Sequence, residues 1–292
     1  MSRRNEPNDW RVPLALLLAT ISISFAAIFF VKTKPTDPFV SAGLRLTMAA
    51  AVMFPLSLKH FKRLKPSEFG SCALAGVCYA VHFGAWVWSL MLTSVAASTT
   101  LVTATPLVLA LIGWLSGKDR PSRRLWLALS IAVCGISCIS MADPGSAESP
   151  FVGNALAFLG ALGMVGYLLI GRGLTHLHPW VILSVASFVG GSTLLVAAAL
   201  LGIPLIPPTS DAFFWIVMAT LIPQLIGHTA LTYALRFASP TAVSMATVAE
   251  PAGAALLAWV ILSEQLSLTV ALGCLLTMGA VTLSSSGATA KQ

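Results

Sequence analysis

Residues 240–262 read PTAVSMATVAEPAGAALLAWVIL, a run of 23 residues whose one charge is Glu250. At 1.5 Å per residue a helix of this length crosses the hydrocarbon core of a bilayer, about 30 Å thick. Glu250 stands ten residues into the run, at a depth of about 15 Å, near the bilayer centre. Pro251 follows it and removes a backbone donor, so the stretch reads as a transmembrane helix loosened at an acid in its middle. The same design occurs 145 residues earlier. Residues 95–116 read VAASTTLVTATPLVLALIGWLS, in which Thr105-Pro106 occupy the place of Glu250-Pro251.

The rest of the chain extends this pattern. Of 292 residues 57% are hydrophobic and only 9% charged, and the mean hydropathy is +0.88. A soluble domain carries about a quarter charged residues, so this chain cannot cover a globule of its size with charge. Apolar blocks fall near 12–31, 39–58, 69–91, 95–116 and 124–141, and again near 151–171, 179–202, 212–235, 240–262 and 268–286. The short alternating segments of a membrane β-barrel are absent. The first block ends at Phe29-Phe30-Val31-Lys32 with no small-residue cleavage pattern and reads as a retained helix. Turn formers such as Lys34-Pro35-Thr36-Asp37-Pro38 and Ala142-Asp143-Pro144-Gly145 join the blocks, and the tails at 1–11 and 287–292 are polar. The five cysteines lie inside apolar blocks without C-x-x-C or Cys/His ligand spacing. They read as packing residues, with no disulfide framework, metal or other cofactor indicated.

The net charge of +7 reports orientation here and does not point to nucleic acid. With a cytoplasmic N-terminus, fourteen of the seventeen Lys and Arg fall on that side, from Arg3, Arg4 and Arg11 to Lys291. Lys32 and Lys34 fall outside, and Arg45 lies within a helix. The expected fold is therefore an all-α membrane protein of ten transmembrane helices, with both termini inside. The 145-residue offset also pairs Ser94 with Ser239, Leu90 with Leu235 and Asp119 with Glu264. Five helices is an odd number, so the repeats 12–141 and 151–286 must insert with opposite topology. Inverted repeats of this kind build alternating-access transporters with a site between the halves near the midplane.

At this point the sequence resembles the drug/metabolite transporter superfamily, specifically its ten-helix EamA-type exporters. Tyr233-Ala234-Leu235, Ala238-Ser239-Pro240, Glu250-Pro251, Ser263-Glu264 and the glycine-bearing last helix are similar to that family's second-half signature. Ser94-Val95-Ala96-Ala97, Thr105-Pro106 and Gly117 to Asp119 echo it in the first half, and Arg45 resembles an arginine common in the second helix. A narrower likeness is to bacterial aromatic amino acid exporters. The resemblance implies efflux of amino acids and related metabolites across the bacterial inner membrane.

Several side chains suit such a cavity. Tyr79, His82, Phe83 and Trp86 are spaced i, i+3, i+4 and i+7 and share one helix face, with Trp88 off it. Tyr79 and His82 lie near mid-helix, where an interfacial aromatic belt does not belong. Gln224, His228 and Thr232 share a face of the eighth block, which Pro223 loosens. Polar groups at this depth turn inward, either to a cavity or to interhelical hydrogen bonds worth about 0.6 kcal/mol each. Glu250 binds a substrate ammonium or carries a proton, or else stays neutral or bonded and holds the Pro251 break together. Arg45, about 9 Å below the outer surface, has the plain reading of snorkelling or pinning carbonyls; a substrate carboxylate or Glu250 are the alternatives. Pro106 and Pro251 read as paired hinges or as static kinks. Tyr167 and Asn154 are lesser cavity candidates. His176 and His178 read as a solvated loop pair, and Trp10, Trp114, Trp126 and Trp180 as interfacial anchors.

The expected function is a secondary transporter exporting amino acids or similar amphipathic metabolites, with the lipid bilayer as its surroundings. Tyr79, His82, Trp86, Gln224, His228 and Glu250 would bind the substrate. No Walker motif is present, and neither G-x-S-x-G nor H-E-x-x-H suggests an intramembrane enzyme. Sugar-phosphate transport would want several intramembrane cations, where the chain offers only Arg45. Nucleosides and drugs stay open as substrates. Two five-helix halves in one chain make a monomer the expected working unit.

Overall fold

The computed structural model describes residues 10–61, 64–93, 95–117, 122–141, 149–262 and 268–285, and these are helical apart from their connections. The elements are α1 (Arg11–Ser24), α2 (Ala26–Lys32), α3 (Pro38–Phe61), α4 (Pro66–Leu92), α5 (Val95–Val102), α6 (Thr105–Ser116) and α7 (Arg123–Met141). Then follow α8 (Pro150–Gly173), α9 (Pro179–Leu200), α10 (Ser210–Ala219), a π-helical segment Thr220–His228, α11 (Thr229–Ala234), α12 (Pro240–Thr247), α13 (Glu250–Leu262) and α14 (Leu268–Ser285). Pro38, Pro66, Pro150, Pro179 and Pro240 each open a helix. Proline's fixed φ suits the first helical position, where its missing N–H has no partner to lose. Gly117 closes α6 with φ 66°, a left-handed cap that other residues adopt at a cost.

Seven stretches among the described residues are long and apolar enough to cross a membrane: Arg11–Lys32, Pro38–Phe61, Pro66–Leu92, Phe151–Gly173, Pro179–Leu200, Ser210–Ala234 and Pro240–Ile261. Thr105–Ser116 and Ala271–Leu283 are apolar but shorter. Large apolar side chains such as Phe188, Val196, Val260 and Leu275 point outward, as a lipid-facing surface requires.

Four of the expected blocks are interrupted. A turn at Phe25 divides the first, Thr103-Ala104 the fourth and Val248-Ala249 the ninth, while the eighth passes through the π segment that contains Pro223. Proline is the physical reason for three of these. Pro106 cannot bond the carbonyl of Val102, four residues back, and the Thr105 hydroxyl donates to that carbonyl instead, at 3.1 Å. In the second half the Ala246 carbonyl at the break accepts the hydroxyl of Thr20 from α1, at 2.9 Å.

The pairings of helices come in exchanged couples. α3 packs on α9 and α7 on α14, each pair joining equivalent elements of the two halves. α4 packs on α8, as α1 packs on the π segment and α11; α5 and α6 meet α8, as α12 and α13 meet α1. Small residues make these approaches possible. A Cβ added at Gly163 of α8 would lie 2.6 Å from the His82 backbone nitrogen and 2.8 Å from the Cys78 carbonyl. One at Gly191 of α9 would lie 2.8 Å from the Gly43 carbonyl in α3. Without a hydrophobic force between helices in lipid, such close backbone packing is what holds them.

Candidate functional site

The two broken helices meet at the centre, α6 packing on α12 and α13 on α5. Their breaks fall at the same offset, so that Thr105 opens α6 and Glu250 opens α13. Both line a cavity of about 30 Å³. α4 contributes His82, Phe83 and Trp86 to its wall, and the π segment contributes His228. Ile23 and Ala26, on either side of the Phe25 break, complete the side toward α1 and α2. That volume admits water but no amino acid.

Each polar wall residue is set by its neighbours. His82 Nδ1 lies 2.8 Å from the Gly160 carbonyl. A carbonyl only accepts, so Nδ1 carries the proton and a neutral His82 keeps Nε2 as its acceptor. The absence of a side chain at Gly160 and Gly163 lets α8 come this close. His228 Nδ1 lies 3.3 Å from the Tyr79 hydroxyl. Tyr79 is fully buried behind the cavity and stacks on Tyr167 at 3.9 Å between centroids. The Thr232 hydroxyl donates to the His228 carbonyl at 2.9 Å, so Tyr167 donates to Thr232, at 2.6 Å. The pair of tyrosines thereby ties α4, α8 and α11 together. Gln224 reaches Ser187 at 3.5 Å through Nε2, while its Oε1 is buried with no partner.

Among the described residues Arg45 and Glu250, the charges inside the apolar blocks, form no ion pair. Glu250 makes no hydrogen bond or ion pair among the described residues. Arg45 is 0% exposed and lies over Phe83 at 4.4 Å and Phe30 at 5.2 Å, measured to the ring centroids. Desolvated cation–π contacts of this kind contribute about 2 kcal/mol.

A family model described as "EamA-like transporter family" matches the sequence twice, at residues 10–141 and 151–286. The chain belongs to the EamA-like transporter family. It is a multi-pass membrane transporter, and its two halves are copies of one unit. No curated protein matches the sequence. A solved crystal structure 17% identical superposes with a TM-score of 0.79 over 94% of this chain and 96% of that one, which places the two in the same fold.

The transporter brings His82, Trp86, His228 and Glu250 to one cavity, while Tyr79 and Gln224 stand behind it as supports. Pro106 and Pro251 sit at the helix breaks. Arg45 neither reaches a surface nor bonds a carbonyl through its side chain, which removes the snorkelling and pinning readings. Asn154 lies away from the cavity and accepts a hydrogen bond from Thr93 at 3.0 Å. His176 pairs with Glu68 at 2.8 Å, and His178 stacks on His60 at 4.1 Å between centroids. No group of three or more potential metal ligands occurs among the described residues. Trp10 and Trp114 are exposed at helix ends. Ser94, Asp119, Ser263 and Glu264 lie outside the described residues, as do residues 1–9 of the first tail and all of the second.

Sequence reasoning missed Phe30, Met164 and Ser187. Phe30 carries no pattern signal, being one apolar residue of a continuous block. The run Gly160, Gly163 and Gly166 was legible as a stripe of small residues at helical spacing and would have indicated the partner of the His82 face.

Proposed function

We propose that the transporter exports amino acids and related small metabolites from the cytoplasm across the bacterial inner membrane, by alternating access at the central cavity. The observation that carries this reading is the meeting of Thr105 and Glu250 there, at equivalent helix breaks in the two halves. A site on that boundary becomes accessible from either side when the halves rock. The exchanged couples of helix pairings support two inverted five-helix repeats, and hence ten spans with both termini inside, as the basic loops suggest. The cavity wall offers aromatic surface for a substrate body, with His82, His228 and Glu250 for its polar ends. Pro106 and Pro251 act as the hinges. An ammonium-bearing substrate fits the acid of the cavity better than a sugar phosphate does, because no Lys or Arg among the described residues lines the cavity. The energy source is a gradient, of protons or of the substrate itself.

The test is flux of labelled amino acids in proteoliposomes holding the purified protein, with an imposed pH gradient and Glu250→Gln in parallel. Saturable flux, reduced about tenfold or more by Glu250→Gln, fits the loss of one charge-assisted contact of about 1.5–3 kcal/mol. A response to the gradient that the variant lacks would make Glu250 the proton carrier. Absence of flux for every amino acid, from folded protein, would overturn the substrate class and turn attention to nucleosides and cationic drugs.

A further inference from the structure

Arg45 is fully enclosed, and none of its three side-chain nitrogens has a hydrogen-bond partner among the described residues. Phe30 and Phe83 offer the cation their ring faces but no oxygen to accept from its five N–H groups. An unrelieved guanidinium is costly at membrane depth, and the ordinary remedy is an adjacent carboxylate. One is near. Glu250 lies within the field of Arg45, yet the two form no ion pair within 4.0 Å. A second unpartnered donor stands nearby: Trp86 Nε1 is buried without an acceptor, and the Trp86 ring meets Phe30 edge-on at 5.7 Å. Trp86 and Phe83 both line the cavity that Glu250 faces.

Among the described residues the fold thus keeps an acid on the cavity wall and a guanidinium over the ring of Phe83, with no ion pair between them, and a further unpartnered donor, Trp86 Nε1, on the helix that carries Phe83. We propose that Arg45 and Glu250 form a divided site for a zwitterion. Arg45, assisted by Trp86 Nε1–H, takes the substrate carboxylate, and Glu250 takes its ammonium. This rests on the amino acid reading above and deepens it by requiring both charges on the cargo. A zwitterion satisfies both protein charges at once, whereas an amine or a carboxylic acid leaves one of them uncompensated in a low dielectric. Phe83 lines the cavity and Arg45, which lies over its ring, does not, so the ring must turn or its helix must shift as the halves part. Arginine suits the task because its planar fork matches both oxygens of a carboxylate.

The experiment is counterflow in proteoliposomes with labelled L-phenylalanine, L-leucine and L-threonine. Unlabelled competitors are each amino acid and its carboxamide, which keeps the ammonium and lacks the carboxylate. The intact protein is expected to prefer the amino acid over its amide by about 10- to 100-fold, the worth of a charge-assisted bidentate contact. Arg45→Gln should bring that ratio close to one by weakening the amino acid and leaving the amide where it was. Arg45→Lys, which keeps the charge without the fork and is the safer variant for folding, should lose part of the ratio. An unchanged ratio in both variants, or equal weakening of acid and amide, would overturn the assignment of Arg45 while leaving amino acid transport standing. No flux of any of the three by the intact protein would overturn both.

Discussion

The hydroxyl of Tyr79 lies 3.3 Å from Nδ1 of His228, joining a helix of the first half to the π segment of the second. Tyr79 and His228 stand 149 residues apart in sequence and meet on the wall between the halves. Tyr79→Phe keeps the stack on Tyr167 and removes only the hydroxyl, leaving a buried ring nitrogen without that partner. An interhelical bond in a bilayer is worth about 0.6 kcal/mol, and an unsatisfied buried group costs about 1–3 kcal/mol. The expected result is a small loss of thermal stability in detergent and a three- to tenfold fall in flux, about 1 kcal/mol. Wild-type flux in a stable Tyr79→Phe protein would show that His228 needs no such support.

Close contact between α4 and α8 is the basis for a second expectation. Gly163→Ala drives a methyl group to within 2.6 Å of the His82 backbone nitrogen, which has no flexible end to yield. Overpacking of this kind costs about 1–3 kcal/mol. Gly279→Ala provides the comparison, since nothing lies within 4 Å of its added Cβ. The first variant should melt lower than the parent by several degrees, and the second should match it. Equal melting of the two would contradict the packing described.

A pH effect is expected at the loop end of α9. Burial, and then the neighbouring charges of His60, Arg236 and Lys59, hold His178 below the usual histidine range. A base so held binds its proton more weakly folded than unfolded. Stability is therefore lost as pH falls below about 6.5, the unfolded value, toward the folded one. Melting temperature followed from pH 7.5 to 5 should fall, and His178→Gln should flatten part of that fall. Parallel curves for the two proteins would place the pH sensitivity elsewhere.

How far the site could be read from sequence depends on what fixed each residue. The face shared by Tyr79, His82, Phe83 and Trp86 was legible because helical periodicity alone places them together. Glu250 was legible because an acid in the middle of an apolar run has few ordinary explanations. The helix breaks were legible through the recurrence of Thr105-Pro106 as Glu250-Pro251. Arg45 was not, since its depth in the sequence says nothing about which way the side chain turns. Only the meeting of α2 with α4, on which α3 also packs, brings Phe30 and Phe83 to its guanidinium. The stack of Tyr167 on Tyr79 was not legible, because the two lie on different helices. His228 ends the π segment around Pro223, and a proline alone does not distinguish a kink from a wider turn.

The central claim is that the cavity between Thr105 and Glu250 is the path of the substrate. Met164 lines it, is largely buried and makes no polar contact that its loss would disturb. With the five native cysteines replaced by serine or alanine, Met164→Cys gives one thiol on the cavity wall. The measurement is its rate of labelling by a small positively charged methanethiosulfonate in proteoliposomes, with and without amino acid. The account predicts labelling from either side of the membrane, slowed severalfold by a transported amino acid. Labelling from one side only, or at a rate that amino acid leaves unchanged, would contradict it.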